Sequence, residues 1–236
     1  MKGSDKAFPF FRGKIRLLQG RKHRVSVDLV VFLSRLRGLR GTSRVVDLGA
    51  GFGFLSLVVA KKFGCRVFAL ERDPEMLRLL QENVRLNDLE EKITAVPVDI
   101  RKVRERFERG EFDVAITNPP FFPRSYGCAD KYHFEEDTTL GDFVSSASYL
   151  LRDGGYLNLL IPSFRLYELF LLLAEANLPP RFATLIHSRP DRAPKLCTVT
   201  AIRNVPGPLQ VERSVFINSP EGGYTREVED LLESFL

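Results

Sequence analysis

Short apolar runs alternate along this chain with longer segments in which apolar residues recur every three or four positions. Short apolar runs are typical of buried strands, and the longer spacing is typical of amphipathic helices. The runs lie at residues 45–48, 66–71, 93–99, 112–117, 156–161, 181–187 and 196–203. Strands that alternate with helices form a parallel sheet covered by helices on both faces. We therefore predict an α/β fold with a doubly wound, seven-stranded and mostly parallel sheet, whose last strand is antiparallel.

The first 40 residues do not follow this alternation. The first 13 are basic and aromatic without a clear period, which indicates a loose arm. Residues 14–28 alternate apolar and polar positions around a glycine, which favours a hairpin, and residues 29–39 have the apolar spacing of a helix. We predict a basic N-terminal arm, hairpin and lead-in helix over residues 1–40, and a main domain over residues 41–236.

The segments between the predicted strands complete this picture. Helices are predicted at residues 55–63, 74–84, 101–109, 140–151, 163–176 and 224–236. Residues 153–155 predict a turn because they contain two glycines. The polar segment 123–139 has no period and is predicted to be a loop that covers the site.

The first strand of the main domain runs into three glycines at alternate positions, Gly49, Gly51 and Gly53. Glycine reaches positive φ and has no Cβ, so the backbone can approach a ligand closely, and the following helix offers free N–H groups at its start. A nicotinamide dinucleotide site would have its third glycine at position 54, which is phenylalanine. The segment, with Asp47 in its strand, therefore predicts a ligand site of another kind.

Two carboxylates follow the next two strands. Glu71 lies 22 residues after Gly49, close to the spacing at which the acid of a dinucleotide fold binds ribose hydroxyls. Asp99, followed by Ile100, can accept a hydrogen bond from an adenine amino group. Ligands lie beyond the carboxyl ends of parallel strands, so both acids are expected beside the glycines. Two simpler alternatives are that Glu71 is a surface acid and that Asp99 only caps the next helix.

The fourth strand runs into Asn118, Pro119, Pro120, Phe121 and Phe122. The two prolines have no N–H and a fixed φ, so they form a stiff turn and keep Asn118 extended. The Asn118 amide oxygen and the Pro119 carbonyl can then point at one place, where Phe121 offers a flat face to a planar ring. The segment alone could be an ordinary loop, but its position after the fourth strand favours a catalytic role.

The charge distribution suggests a partner. The net charge is +5, from 35 Lys and Arg against 30 Asp and Glu, and the first 44 residues hold 12 basic and two acidic residues. A late loop adds Arg189, Arg192 and Lys195. Basic surfaces bind polyanions because phosphate neutralisation releases counterions. The pattern favours a nucleic acid, with a solvated surface as the alternative.

Other classes are not indicated. No apolar stretch reaches the roughly 20 residues that span a bilayer, and the N-terminus lacks a signal-peptide core, so we expect a cytoplasmic protein without a membrane partner. Cys65, Cys128 and Cys197 are far apart and have no clustered histidines beside them, which indicates neither disulfides nor a metal site.

With these motifs in order, residues 14–203 resemble the amino-group methyltransferases that use Asn/Asp-Pro-Pro-Tyr/Phe. More narrowly, the chain resembles the bacterial valine-tRNA adenine-N6 methyltransferases. That likeness lies in Gln19-Gly20, His23-Arg24-x-Ser26-x-Asp28, the Asn-Pro-Pro-Phe-Phe segment, Arg152-Asp153-Gly154-Gly155 and Tyr224-Thr225. These relatives usually have tyrosine where this chain has His23 and Phe121.

The resemblance implies a Rossmann-like class I methyltransferase fold and S-adenosylmethionine as the cofactor. It implies that the cofactor is bound by Gln19, Arg24, Asp28, Asp47, Gly49, Gly51, Gly53, Glu71, Asp99, Ile100 and Asn118. Asn118, Pro119 and Phe121 would be catalytic. Phe121, Phe122, Arg189, Arg192 and Lys195 would bind the substrate.

The function expected from residues and resemblance together is methylation of adenine N6 in structured RNA, most of all an anticodon-loop adenine of tRNA. The alternatives are methylation of a glutamine N5 in a release factor, of an amino group in ribosomal RNA or DNA, or a non-enzymatic nucleotide-binding or RNA-binding module. A helical recognition domain is usual in the release-factor enzymes, whereas the N-terminal addition here is short and basic.

Overall fold

The protein is described by a computed structural model that covers residues 7–19, 24–120 and 138–236. A small hairpin precedes a large sheet. In chain order the strands are β1 (Phe8–Phe10), β2 (Ile15–Leu17), β3 (Arg44–Leu48), β4 (Arg66–Glu71), β5 (Ile93–Pro97), β6 (Phe112–Thr117), β7 (Leu151–Pro162), β8 (Pro180–His187), β9 (Pro194–Ile202), β10 (Gln210–Val211) and β11 (Val215–Phe216).

The large sheet has the order β5-β4-β3-β6-β7-β9-β8-β10, and β11 also pairs with β8. Strand β9 is antiparallel to β7 and β8, and the other pairs of this sheet are parallel. The seven longer strands confirm the predicted sheet and its antiparallel last strand. The short β10 and β11 were not predicted, because two residues are too few to show a period.

Helices cover both faces of the sheet. They are α1 (Val27–Ser34), α2 (Phe54–Phe63), α3 (Pro74–Leu86), α4 (Leu140–Leu150), α5 (Leu166–Glu175) and α6 (Arg226–Ser234). One apolar core joins the hairpin, α1, α2, α3 and α6 to one face, and a second joins α4 and α5 to the other. None of the helices in the described residues is long and apolar enough to cross a membrane.

The N-terminal hairpin lies earlier in the chain than the sequence predicted. Strand β1 pairs antiparallel with β2, so residues predicted to form a loose arm are ordered. Phe11 at the turn is buried, and Ile15 and Leu17 are fully buried. The prediction of a strand at residues 15–17 is confirmed, but its partner is the aromatic segment before it, because this pairing lets Phe11 bury its ring and Phe10 pack against the core. Residues 20–23, the predicted turn, lie outside the described residues.

Two further segments differ from the prediction. Strand β7 begins at Leu151 and continues through the predicted turn at residues 153–155. The extra residues are accommodated as in a β-bulge: Gly154 has φ +74°, and the register between β7 and β6 shifts there. The predicted helix at 101–109 is a short 3-10 helix over Ile100–Glu105, which a non-helical Lys102 interrupts. The predicted covering loop lies largely outside the described residues.

Candidate active site

The register of the central strands brings the predicted site residues together. Leu48 at the end of β3 pairs with Leu70 of β4 on one side and with Thr117 of β6 on the other. The next residue of each strand, Gly49, Glu71 or Asn118, therefore lies at the same edge of the sheet. The Thr117 hydroxyl donates to the Leu48 carbonyl at 2.8 Å, which holds the ends of β3 and β6 together. This edge lies where the strand order reverses, the usual ligand position in such sheets.

Each of the three positions requires glycine for its own structural reason. Gly49, Gly51 and Gly53 have φ values of +72°, +56° and +91°, a region that other residues rarely adopt. A Cβ on Gly53 would lie 2.3 Å from Leu80 Cδ1, and one on Gly49 would lie 3.2 Å from Phe143 Cε1. A Cβ on Gly51 would have no protein atom within 4 Å. Gly51 therefore faces open space, where a bound molecule can approach the backbone.

Glu71 is tied to the glycine turn and is not a surface acid. Its side chain is buried, and its Oε2 accepts a hydrogen bond from the Gly51 N–H at 2.7 Å. Its Oε1 accepts from the N–H groups of Arg72 and Asp73, both at 2.8 Å. Burial raises the pKa of this carboxyl, and the backbone hydrogen bonds oppose that shift. A carboxylate oxygen accepts two hydrogen bonds, so Oε2 retains one acceptor position for a ligand hydroxyl.

Asp99 caps the 3-10 helix, and its contact with an adenine stays a prediction. Its Oδ1 accepts from the Arg101 N–H at 3.0 Å, and both carboxylate oxygens accept from the Arg101 guanidinium. Arg72 Nη1 lies 3.4 Å from Oδ2. These hydrogen bonds, with Arg101 foremost, hold the pKa of Asp99 well below its usual range. Ile100 is buried beside it, and its carbonyl accepts from the Ser146 hydroxyl at 2.8 Å.

Asp47 and Asn118 each present a buried oxygen that accepts no hydrogen bond from the described residues. Asp47 is 1% exposed, and its Oδ2 accepts from the Ser56 hydroxyl at 2.7 Å while Oδ1 has no partner. Burial raises the pKa of Asp47 to about 7. The orphaned atom of Asn118 is its amide oxygen, Oδ1. Buried acceptors are almost always paired in native proteins, and Asn118 follows the end of β6 beside Gly49, so its oxygen is placed to accept a hydrogen bond from a ligand.

The Asn-Pro-Pro turn has a neighbour that sequence reasoning missed. Arg165 is 3% exposed, and its Nη1 lies 3.5 Å from the Pro120 carbonyl. Its other guanidinium nitrogens donate to Glu168 at 2.6 and 2.8 Å. Nothing in the sequence distinguished this arginine from the helix around it. Pro119 is buried, whereas Phe121 and Phe122 lie outside the described residues.

A buried asparagine, Asn83 of α3, connects the N-terminal segment to the glycine turn. Its side chain accepts from the Leu18 N–H at 2.7 Å and donates to the carbonyls of Leu18 at 3.0 Å and Phe52 at 2.8 Å. Gln19 follows Leu18 in the chain, and its side-chain oxygen accepts from the Val25 N–H at 3.1 Å. The predicted position of Gln19 beside the glycines is therefore compatible with the fold.

The other two predicted residues of this segment are less constrained. Arg24 is exposed and lies just before α1. Asp28 is half-buried in the first turn of that helix. Within the described residues, no hydrogen bond or ion pair connects either side chain to the glycine turn, so their assignment stays a prediction.

The N-terminal charge excess is partly neutralised within the fold. Arg12 pairs with Glu233 at 2.6 Å and Arg35 with Glu227 at 2.7 Å, both acids of α6. Two more ion pairs of this kind join Arg37 to Glu212 and Arg44 to Glu111. The basic surface predicted for the first 44 residues is therefore smaller than their composition indicates.

The late basic loop lies at the edge of the sheet that carries the site. It connects the carboxyl end of β8 to the start of β9, and its Arg189 and Arg192 are exposed. Lys195 is also exposed, but it is the second residue of β9 and not part of the loop as predicted, because β9 already begins at Pro194. Arg189 donates to the Pro220 carbonyl at 2.8 Å, and Arg192 lies 3.7 Å from Asp191. These three cations therefore remain accessible to an anionic ligand.

The site fits an organic ligand with several hydrogen-bond donors. Open space over Gly51 and the Asn118 amide oxygen, which has no partner among the described residues, lie at the ends of β3 and β6. In the part of the chain that the structure describes, no group of His, Cys, Asp and Glu could hold a metal ion.

Known proteins are similar to this chain in sequence and in fold. The chain is 27% identical over 223 residues to a protein from Shewanella loihica named tRNA1(Val) (adenine(37)-N6)-methyltransferase, covering 89% of this chain and 91% of that protein. It is 29% identical over 202 residues to a protein of the same name from Porphyromonas gingivalis, covering 80% and 78%. A predicted O-methyltransferase from Agrobacterium tumefaciens superposes with a TM-score of 0.70 at 23% identity, covering 86% and 93%.

The model of the methyltransferase small domain matches residues 26–176. This match includes β3 to β7 and therefore all of the strand ends that form the candidate site. The class I methyltransferase fold predicted from the resemblance is thus confirmed. The chain belongs to the methyltransferase small domain family and is a methyltransferase.

Proposed function

We propose that this protein methylates the N6 amino group of an adenine in structured RNA, most of all in tRNA. The observation that carries the proposal is the buried Asn118 amide oxygen, which lacks a donor among the described residues and stands at the sheet edge beside Gly49. An exocyclic amino group is a donor of the kind this oxygen lacks. The names of the two relatives support the choice of a tRNA adenine. A tRNA substrate goes with a cytoplasmic location, which is part of the proposal.

S-adenosylmethionine supplies an electrophilic methyl group when it is bound. The residues that would hold it are Gly49, Gly51 and Gly53 at its amino-acid end, with Glu71 at the ribose. Asp99 and Ile100 would lie at its adenine. Oε2 of Glu71 can accept from a ribose hydroxyl in addition to the Gly51 N–H. Asp99 is held by two arginines, so an adenine amino group would share its oxygens with them.

Adenine N6 is a weak nucleophile because its lone pair is delocalised into the ring. Acceptors on its two hydrogens favour a tetrahedral nitrogen and direct the lone pair outward. Asn118 Oδ1 would be one acceptor and the Pro119 carbonyl the other, held by the stiffness of the two prolines. Alignment of the amino group supplies most of the effect, and the nitrogen releases its proton after transfer, so no strong base is required. Phe121 and Phe122 are proposed to stack the base.

The test is transfer of a radiolabelled methyl group to unmodified tRNA, ribosomal RNA, DNA and a release factor, followed by nucleoside analysis. We expect label in N6-methyladenine of tRNA. Label in the release factor alone would refute the RNA substrate. Asn118→Ala should lower turnover about 10²-fold, by analogy with other lost transition-state hydrogen bonds, and should leave S-adenosylhomocysteine affinity almost unchanged. Asn118→Asp keeps the acceptor oxygen and is the matched control, with a smaller loss expected.

We also propose that residues 41–236 form the catalytic domain and residues 1–40 an addition to it. The N-terminal hairpin shares an apolar core with α2 and α3, so the addition is packed onto the domain. Gln19, Arg24 and Asp28 would then complete the site at the methionine end of the cofactor.

A further inference from the structure

An exposed apolar stripe lies on α5 and the 3-10 turn before it. Phe164, Tyr167 and Leu171 are 52%, 78% and 50% exposed. Tyr167 and Leu171 are four residues apart and lie on one face of α5, and Phe164 precedes them on the 3-10 turn. Leu169 and Leu173 on the opposite face are fully buried. Each side chain of the stripe is therefore at least half exposed, and an exposed apolar patch of this kind marks a binding surface.

The stripe begins next to the candidate active site. Phe164 follows the carboxyl end of β7, and β7 pairs in parallel with β6, whose end leads into Asn118. Arg165, the residue after Phe164, reaches the Pro120 carbonyl with its guanidinium. Tyr167 is two residues farther along, on the first turn of α5. A ligand that is bound at Asn118 and is long enough therefore extends over Phe164 and Tyr167.

Exposed positive charge lies on the other side of the same turn. The Ser163 hydroxyl donates to the carbonyl of Pro194, the first residue of β9, at 2.5 Å. This bond ties the start of the stripe to the end of the loop that carries Arg189 and Arg192, next to Lys195 of β9. Of the nearby acids, Asp191 lies beside Arg192, and Glu168 pairs with the buried Arg165. Exposed rings beside exposed cations are what single-stranded nucleic acids bind, because bases stack on the rings and phosphates pair with the cations.

We propose that Tyr167 and Phe164 form a stacking surface, the α5 platform, for the unpaired nucleotides that flank the target adenine. The inference rests on the RNA substrate proposed above and adds where the neighbouring nucleotides bind. The flanking bases lie on the two rings, and the phosphates between them face Lys195 and the arginines of the loop. The partner is an unpaired RNA strand, which the charge of the loop favours over an apolar protein surface.

The experiment uses the full chain and a fluorescent oligouridine of roughly ten nucleotides, within the site size of such surfaces. This probe contains no adenine, so it offers no exocyclic amino group to Asn118, and the Tyr167 variants test the contribution of the stripe to binding. Tyr167→Ala should weaken its binding about tenfold or more, the usual effect of removing a stacked ring. Tyr167→Phe keeps the ring and should bind like the wild type. Val211→Ala is the matched control, because Val211 is 63% exposed on a distant part of the sheet.

Two more measurements complete the test. Lys195→Gln should reduce the salt dependence of oligouridine binding, since one phosphate contact is lost. In the methyl-transfer assay, Tyr167→Ala should raise KM for RNA and leave kcat nearly unchanged. Thermal melting of each variant checks the fold, and no large change is expected at so exposed a residue.

Each outcome decides the proposal. Equal oligouridine binding by the wild type and Tyr167→Ala overturns the α5 platform even if RNA is methylated. Tyr167-dependent binding supports it even if methyl transfer goes to a different substrate, which would refute only the proposed function. A change of oligomeric state in Tyr167→Ala at unchanged oligouridine affinity would assign the stripe to contact between copies of the chain, and would overturn the RNA assignment.

Discussion

Replacing Asn83 by alanine should weaken both the fold and the cofactor site. The side chain is fully buried and makes three hydrogen bonds, two to the backbone of Leu18 and one to the Phe52 carbonyl. Each such bond contributes about 1 kcal/mol, and each backbone group left unpaired in the interior adds to the cost. We therefore expect Asn83→Ala to lower the free energy of unfolding by about 3 to 5 kcal/mol.

Asn87 offers a matched control one helical turn away. Its side chain also makes three hydrogen bonds, to the Arg16 N–H, the Arg16 carbonyl and the Asn83 carbonyl, and it is 6% exposed. Asn87→Ala should therefore destabilise the protein by a similar amount, about 3 kcal/mol. None of its bonds reaches the glycine turn, so it changes stability without releasing Phe52.

The two variants are compared by urea denaturation and by calorimetry with S-adenosylhomocysteine under conditions where both remain folded. We expect the ligand affinity of Asn83→Ala to fall severalfold and that of Asn87→Ala to remain near the wild-type value. An equal loss of affinity in both variants would refute the link from Asn83 to the glycine turn. A change in unfolding free energy below about 1 kcal/mol would refute the hydrogen-bond accounting itself.

Two other predictions concern the same strand end. Gly51→Ala should abolish most S-adenosylhomocysteine binding and lower the melting temperature only slightly, because its Cβ enters the open space where the ligand would lie. Gly53→Ala should mainly lower the melting temperature, because its Cβ meets Leu80. Calorimetry measures the binding and thermal melting the stability, and the reverse pattern in the two variants would contradict the prediction. Burial raises the pKa of Asp47 to about 7 from 3.8, so the native state binds more protons between these values, and stability should fall as pH rises through this window. The loss of unfolding free energy over this window is up to about 4 kcal/mol. Asp47→Asn should flatten the dependence of unfolding free energy on pH, as measured by urea titrations at several pH values. An unchanged pH dependence in that variant would exclude Asp47 as its source.

The sequence could predict the parts of the site that depend on strand ends. Glu71 and Asn118 each end or follow an apolar run, and the parallel order of the sheet then brings both beside Gly49. The glycines themselves are explained by their positive φ values. The apolar pattern of a strand and the conformational freedom of glycine are local properties of the chain, so a single sequence is enough to show them.

Other parts depend on contacts between distant segments, which no local pattern shows. The contacts of Asn83 with Leu18 and Phe52 cross 65 and 31 residues. Arg165 reaches Pro120 across 45 residues, and it resembles any helix arginine in the sequence. The partner of β2 was assigned to the wrong side, because an alternating strand does not indicate which neighbour it pairs with.

The pairing of the N-terminal arginines with α6 has a consequence for the order of folding. Arg12 and Glu233 are 221 residues apart, and Phe11 packs against Phe235 with ring centroids 5.9 Å apart. A chain leaves the ribosome from its N-terminus, so the hairpin must wait for nearly the whole domain before α6 arrives. Until then Arg12 lacks its partner Glu233, and the side of Phe11 that packs on Phe235 is uncovered. Docking of α6 is therefore the step that neutralises this surface and closes the core, and variants that slow it should favour aggregation during synthesis.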